Sequence, residues 1–315
     1  MGDHFRNRLT HSIEVSQISR TAAVVLGLNE DLTETLALSH DIGHPPFAHS
    51  GEAELNLQMA LYGEGFDHNL HALNLVERFE QRYARFPGLN LTFEVREGIV
   101  KHSRDFEPGE SPEFDHYLPG RKPPVEAQLI DLADEIAYNT ADLDDAFTAG
   151  MFTALQIAEE IPAFAELWEQ ADQQFPGASE RVRFLESLRR LIDGLVTGLV
   201  QGTSSAAHAS GATSVQDVRM LPARIATIAG EAKQTNAELK QFLHKHVYHE
   251  KLLLAERANS TAIIGELFQF FLQHPDRMPE PHNEMAREGH LHRVVCDYIA
   301  GMTDGFCRRT HAEML

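Results

Sequence analysis

The sequence predicts an all-α fold. Apolar residues recur at spacings of three and four, residues that start and stop helices punctuate those stretches, and no alternating strand pattern runs longer than a few residues. Val15, Ile18, Ala22 and Val25 place a first helix over about 10–26, closed by Gly27. Asn29 caps the next, which runs to about His40. Pro45-Pro46 forbids its continuation. A short helix over about 51–61 precedes the Gly63-Glu64-Gly65 turn. Residues 68 to about 85 predict another helix, stopped by Pro87-Gly88, and Val95, Ile99 and His102 share a face of the one after it. Residues 105–124, rich in Pro, Gly and acidic side chains, read as a loop. The strongest helix spans about 124–148, with a stripe of Val125, Leu129, Leu132 and Ile136. Later helices are expected over about 151–172, 178–200, 235–273 and 284–312. The small, polar stretch 202–218 is expected to be a mobile loop, and His274-Pro275 to Pro281 a second connector. There is no internal repeat.

The 315 residues suffice for one large domain or two small ones. The division expected is a core over 1–150 and a C-terminal helical region over 151–315, joined as one continuous globular unit. No run approaches the ~18–20 apolar residues of a membrane span, and no secretory leader pattern opens the chain. Two cysteines, Cys296 and Cys307, fit a reducing compartment rather than a disulfide framework. A cytoplasmic location and no membrane partner are therefore expected. The net charge of −20 argues against a generally nucleic-acid-coating surface. It leaves room for an anionic substrate, because a local pocket of cations and metal can hold triphosphate inside an acidic protein.

The most informative stretch is Leu38-Ser39-His40-Asp41-Ile42-Gly43-His44-Pro45-Pro46-Phe47-Ala48-His49. His40 and Asp41 point about 100° apart on an ideal helix, yet both can reach a metal at its C-terminal end. An imidazole and a carboxylate suit a borderline or hard divalent ion. His11 and a later aspartate would complete a site with open positions for water and substrate. Asp131 and Asp134 compete for that last place. The small neighbours of Asp134 (Ala127, Ala137 and Ala141) slightly favour it over Asp131, which has Gln128 and Glu135 nearby. His49 and Glu52, three residues apart, can share a helix face as a general acid/base pair. Arg8 lies one turn before His11, where its guanidinium can fork onto phosphate oxygens. Lys101, His102 and Arg104 form a second small cationic cluster. Blander assignments compete: His71 and His102 as packed or solvent-facing residues, Asp142, Asp144 and Asp145 as a solvated face, and Glu52 as a helix-dipole partner. A lone His-Asp pair is common by chance. The coincidence of His11, His40-Asp41, His49 and Asp134 on successive helices is not.

Taken together, His11…His40-Asp41…Asp134 resembles the H…HD…D pattern of the HD phosphohydrolase superfamily. Longer stretches are similar to one branch, the bacterial deoxyguanosine triphosphate triphosphohydrolase-like proteins. They are the segments Arg8–Val15, His40–His49, Phe66-Asp67-His68-Asn69, Asp131–Asn139 and Asp297-Tyr298-Ile299-Ala300-Gly301-Met302-Thr303-Asp304. The resemblance runs from residue 1 to about 310. It implies an HD-domain helical core with additional C-terminal helices, and hydrolysis of a dNTP to deoxynucleoside and inorganic triphosphate. By motif position, His11, His40, Asp41 and Asp134 would be metal ligands, for Mn2+ or Mg2+ first, with Fe2+, Co2+, Ni2+ or Zn2+ as alternatives. His49 would be catalytic, with Glu52 orienting it. Arg8, His44 and His68 would face phosphate, and Tyr138 and the Asp297–Asp304 segment the nucleoside. Family members are usually homo-oligomers, and some respond to a nucleotide or single-stranded DNA effector. One departure stands out. A longer stretch typically precedes the Gly-Asp-His-Phe-Arg-Asn-Arg motif, which here begins at Gly2. That stretch normally includes a helix and a glutamine-bearing segment near the sugar, so substrate selection, regulation or assembly is expected to suffer before the metal site does. Two rival functions follow from the same residues: a different HD chemistry, such as phosphate release from a nucleoside monophosphate, and a non-catalytic nucleotide- or DNA-sensing scaffold.

Overall fold

A computed structural model of the protein describes residues 8–249 and 251–315. Among the described residues the chain forms fifteen α-helices, and the only β pairing is a pair of isolated bridges in residues 81–88. In chain order the helices are α1 (Arg8–Leu26), α2 (Glu30–Ser39), α3 (Ala48–Ala60), α4 (His68–Asn74), α5 (Phe93–Lys101), α6 (Val125–Thr148), α7 (Ala154–Glu160) and α8 (Pro162–Gln174). They continue as α9 (Glu180–Ser210), α10 (Val215–Arg219), α11 (Gly230–His246), α12 (Lys251–Gln273), α13 (His282–Glu288), α14 (Leu291–Ala300) and α15 (Asp304–Met314). The all-α expectation holds. The residues form two compact units, each assembled from two separated stretches: up to His40 with 93–250, and 41–92 with 251–315.

In the first unit α1 packs on α2 and α6. The contact is made by small residues. Ser12, Ser16, Ser19, Ala22 and Ala23 line the buried side of α1, while Val25 of the expected stripe is exposed. Val15, Leu36, Ala37, Ala127, Ile130, Ala133 and Ala137 make the core between the three helices. Alanines here let helix backbones approach, which brings polar residues on their ends within reach of one another. Asn29 accepts from the Leu32 amide and caps α2 as expected.

Residues 202–210, expected as part of a mobile loop, instead continue α9. Their small size serves close packing. A Cβ on Gly202 would lie 2.3 Å from the Thr227 carbonyl oxygen, and one on Gly198 would lie 2.2 Å from the Ala232 methyl carbon. The Thr203 hydroxyl also accepts from the Thr227 amide. The helix stops only at Gly211, in the left-handed conformation at φ +68°. Val215–Arg219 then form α10, capped by Ser214. Two other expected helices, 151–172 and 235–273, are each split, the first at Ile161-Pro162 and the second after His246.

In the second unit α3 packs against α12 and α14. Leu55, Met59, Ile264, Leu267, Phe268, Phe271, Val295 and Ile299 are the centre of its core. The helix expected over 68–85 ends early. α4 passes into a single wide π-type turn, Leu75–Phe79, closed by the Glu80 amide donating to the Leu75 carbonyl. The chain then folds back, so that the Gly88 and Leu89 amides donate to the Glu80 and Val76 carbonyls. Gly88, at φ +77°, has no room for a Cβ against the Val76 and Glu77 carbonyls.

Candidate functional site

Among the described residues, two clusters of histidine and carboxylate that could hold a metal ion emerge, one in each unit. The first is His11 from α1, His40 at the end of α2, and Asp134 from α6. One ligand-type atom from each lies within 4.8 Å of the others. His11 Nε2 is 2.7 Å from Asp134 Oδ1, and His40 Nε2 is 3.6 Å from the same oxygen. His40 is 2% exposed and donates from Nδ1 to the Ala37 carbonyl at 2.7 Å. That bond holds the tautomer whose Nε2 lone pair faces Asp134. A lone pair facing a carboxylate oxygen at this spacing is unfavourable without a cation and is the usual setting of a metal ligand. Burial disfavours the charged form of Asp134, but the hydrogen bond from His11, with the His40 imidazole beside it, outweighs it and holds the carboxyl well below the usual range. The donor set therefore fits a divalent metal. Asp134, not Asp131, faces the two imidazoles; Asp131 is exposed. Asp41 follows His40 in sequence and begins the second unit.

The second cluster surrounds Glu52 of α3. Its Oε1 accepts from His68 twice, from ring Nδ1 at 2.8 Å and from the backbone amide at 3.0 Å. Its Oε2 lies 3.7 Å from His49 Nδ1 and 3.9 Å from His44 Nδ1. The His44 ring stacks on His68 with centroids 4.0 Å apart and meets His49 edge-on at 4.9 Å. His44 Nε2 lies 3.4 Å from Asp41 Oδ1. Burial, with the neighbouring His68, pushes the His44 pKa down to about 3, so this imidazole is neutral. Burial opposes ionisation of Glu52 as well, but hydrogen bonds from His49 and His68 hold it firmly ionised. The expected His49–Glu52 proximity is present, and Glu52 holds His68 more tightly than it holds His49.

The turn that aims this cluster is unusual. Phe47 and Ala48 both have positive φ, 64° and 49°. The Phe47 amide donates to Asp304 at the start of α15, and the Arg308 guanidinium sits over the Phe47 ring. Gly43 makes a close approach possible: a Cβ there would be 2.0 Å from the His68 carbonyl oxygen. Sequence reasoning did not find the Glu52–His68 pair, since residues sixteen apart carry no shared periodicity. The Asp304 contact was invisible for the same reason.

Other expected residues fall as follows. Arg8 begins α1, one turn before His11, and residues 1–7 lie outside the described residues. Tyr138 is exposed on α6, its ring 6.1 Å from that of Tyr248. Tyr248 donates to Asp142 at 2.6 Å, and Arg181 donates to Asp144 at 2.6 Å, so these aspartates are partnered rather than a purely solvated face. His71 and His102 are both buried, as packed residues are. The cationic cluster expected of Lys101, His102 and Arg104 does not form. Lys101 is fully buried and donates to Glu97, Leu118 and Arg121. His102 donates to the Ile99 carbonyl and packs edge-on to His40, and Arg104 pairs with Glu110. No helix among the described residues is long and apolar enough to cross a membrane.

Residues 8–139, which contain His11, His40, Asp41 and Asp134, match the HD domain, and residues 226–313 match a phosphohydrolase-associated domain. The chain is 40% identical over 305 residues to the deoxyguanosinetriphosphate triphosphohydrolase-like protein of Geobacter sulfurreducens, covering 97% of this chain and 78% of that one. It is 42% identical over 314 residues to the like-named protein of Ralstonia nicotianae, covering 99% and 80%. For that of Caulobacter vibrioides the identity is 39% over 327 residues, covering 99% and 82%. A helical core matching the HD domain, followed by its associated domain and aligned over nearly the whole chain with these relatives, places the protein in the deoxyguanosinetriphosphate triphosphohydrolase-like family of HD-domain phosphohydrolases.

Proposed function

We propose that the protein hydrolyses deoxynucleoside triphosphates to deoxynucleoside and inorganic triphosphate. The observation that carries this is the convergence of His11, His40 and Asp134 within a stretch matching the HD domain. With Asp41 as fourth ligand, these residues would hold Mn2+ or Mg2+, or another of Fe2+, Co2+, Ni2+ and Zn2+. The ion, when bound, supplies Lewis-acid polarisation of a phosphate oxygen. The chain's own residues do the rest. Arg8, His44 and His68 bind and orient the triphosphate, and Tyr138 faces the nucleoside. A water oxygen attacks the α-phosphorus and the bond to the 5′ oxygen breaks. His49, oriented through Glu52, accepts the proton from water and returns one to the leaving 5′ oxygen. Ionised Glu52 supports the histidinium that forms between those two transfers. On this reading residues 151–315 complete the nucleotide pocket and carry the contacts of a cytoplasmic homo-oligomer. A nucleotide or single-stranded DNA acts as its effector.

Product analysis tests the proposal. The purified protein is incubated with each dNTP and Mn2+, and products are separated by anion exchange. Deoxynucleoside with intact triphosphate is the expected result. Orthophosphate released from a monophosphate, with no triphosphate from any dNTP, overturns it. Metal binding without turnover across all four dNTPs points to a sensor instead.

A further inference from the structure

We propose that His44, His49 and Glu52 form a second cation site, selective for a borderline divalent ion of the Zn2+, Co2+ or Ni2+ class. One ligand-type atom from each of the three lies within 4.8 Å of the others. Glu52 Oε2 is 3.7 Å from His49 Nδ1 and 3.9 Å from His44 Nδ1. Two bonds of about 2.1 Å at a tetrahedral angle set ligand atoms roughly 3.4 Å apart, so the two Glu52–histidine spacings close with shifts of a few tenths of an ångström. The most exposed member supplies them: the His49 side chain is 85% exposed, while that of His44 is 7% exposed and its ring is stacked on His68.

The orientation of the donors is the stronger argument. Glu52 Oε1 is already taken by the ring and amide of His68, which turns Oε2 toward the two imidazoles. On the far side of the His44 ring, Nε2 lies 3.4 Å from the Asp41 carboxylate, leaving Nδ1 on the Glu52 side. A ligating carboxylate held by a hydrogen bond and a ligating imidazole backed by a carboxylate are the outer-shell partners that a metal site requires. Two imidazoles and one carboxylate with an open side make a donor set suited to Zn2+ and its neighbours, and a poor one for Mg2+, which prefers oxygen and retains its waters. The exposed His49 side is the entry path.

The existence of this site does not depend on the proposed reaction. Its consequence does: an ion on His49 Nδ1 leaves the ring proton on Nε2, the nitrogen that His49 needs unprotonated as a base, so Zn2+ at this site suppresses turnover.

Equilibrium dialysis of the full chain against Zn2+, with excess Mg2+ present, and elemental analysis of metal per chain test the site directly. His49→Gln and Glu52→Gln are each expected to bind one equivalent fewer than wild type. His11→Gln loses a different equivalent, so the His11→Gln/His49→Gln double variant loses two. His68→Gln weakens the second site about 10–100-fold without removing it. Because His49 is exposed, His49→Gln leaves the fold intact, as circular dichroism checks, and is the decisive variant. Zn2+ binding by His49→Gln equal to wild type overturns the proposal. If no dNTP releases triphosphate while His49→Gln still drops one equivalent, the second site stands and the hydrolytic reaction falls.

Discussion

At the scale of single residues, the histidines divide by what holds them. His40 is buried and locked through Ala37, whereas His49 is exposed and lies beside Glu52 and the His44 ring. Substitutions should separate accordingly. His40→Ala removes the metal held with His11 and Asp134, and dNTP hydrolysis with it. His49→Ala keeps that metal and lowers the turnover rate about 10²–10⁴-fold. Metal analysis alongside steady-state rates checks both, and unchanged turnover in His49→Ala would sink the proton-transfer assignment. The cysteines give a second residue-scale prediction. Cys296 and Cys307 are fully buried, and burial pushes both thiols up, that of Cys307 to about 12. Reaction needs thiolate and access. Neither thiol should react with an aromatic disulfide reagent in the native protein at pH 8, and both should react after unfolding in guanidinium. The convergence of His11, His40 and Asp134 was legible in the sequence because helices with small buried faces bring their ends together. Spacing separated Asp134 from Asp131 only weakly, and it is Asp134 that lies 2.7 Å from His11.

At the scale of elements, glycines decide which helices lie close, and two of them make contrasting predictions. Gly202 lets α9 touch the segment around Thr227, far along the chain from any proposed catalytic residue. Gly43 lets the turn after His40 lie on the first residues of α4, which carries His68. An added methyl meets backbone atoms in both places, so something must shift, at a cost of about 1–3 kcal/mol. Gly202→Ala should lower stability in urea while keeping the hydrolytic rate at a temperature where it remains folded. Gly43→Ala should lower both, since the displaced backbone carries the residue that fixes Glu52. Equal activity in the two variants would refute the link between Gly43 and the site. The same glycines explain where the sequence misled. Stretch 202–210 has the composition of a linker, but its small residues are a packing surface. The helix from His68 stops early because the chain returns to bond the carbonyls of its last turn, a tertiary event that leaves no trace in periodicity. Where a cap is local, as at Asn29, the sequence sufficed.

At the scale of the whole molecule, a net charge of −20 means that acidification acts in two opposed directions. Protonating exposed carboxylates relieves mutual repulsion, whereas protonating paired ones removes stabilising contacts. Asp105 isolates the second effect. Its Oδ1 accepts from Arg224 at 2.9 and 3.1 Å, and its Oδ2 accepts from Lys122 at 2.6 Å. Arg224 also donates to the Lys101 and His102 carbonyls, so this aspartate anchors the end of α5 beside His40. Burial works against its ionisation, but Lys122 and Arg224 prevail and hold its carboxyl below the ordinary value of 3.8. A carboxyl with a depressed folded-state pKa contributes stability that is fully present above the unfolded value and is lost as pH falls through the folded one. Asp105→Asn should therefore cost about 1–3 kcal/mol at pH 7. The gap between wild type and variant should then close as pH is lowered from about 5 toward 2. Because both proteins carry nearly the same total charge, the difference between their urea midpoints cancels the global repulsion and leaves the local pair. A gap that stays constant down to pH 2 would mean that Asp105 stabilises through shape rather than charge.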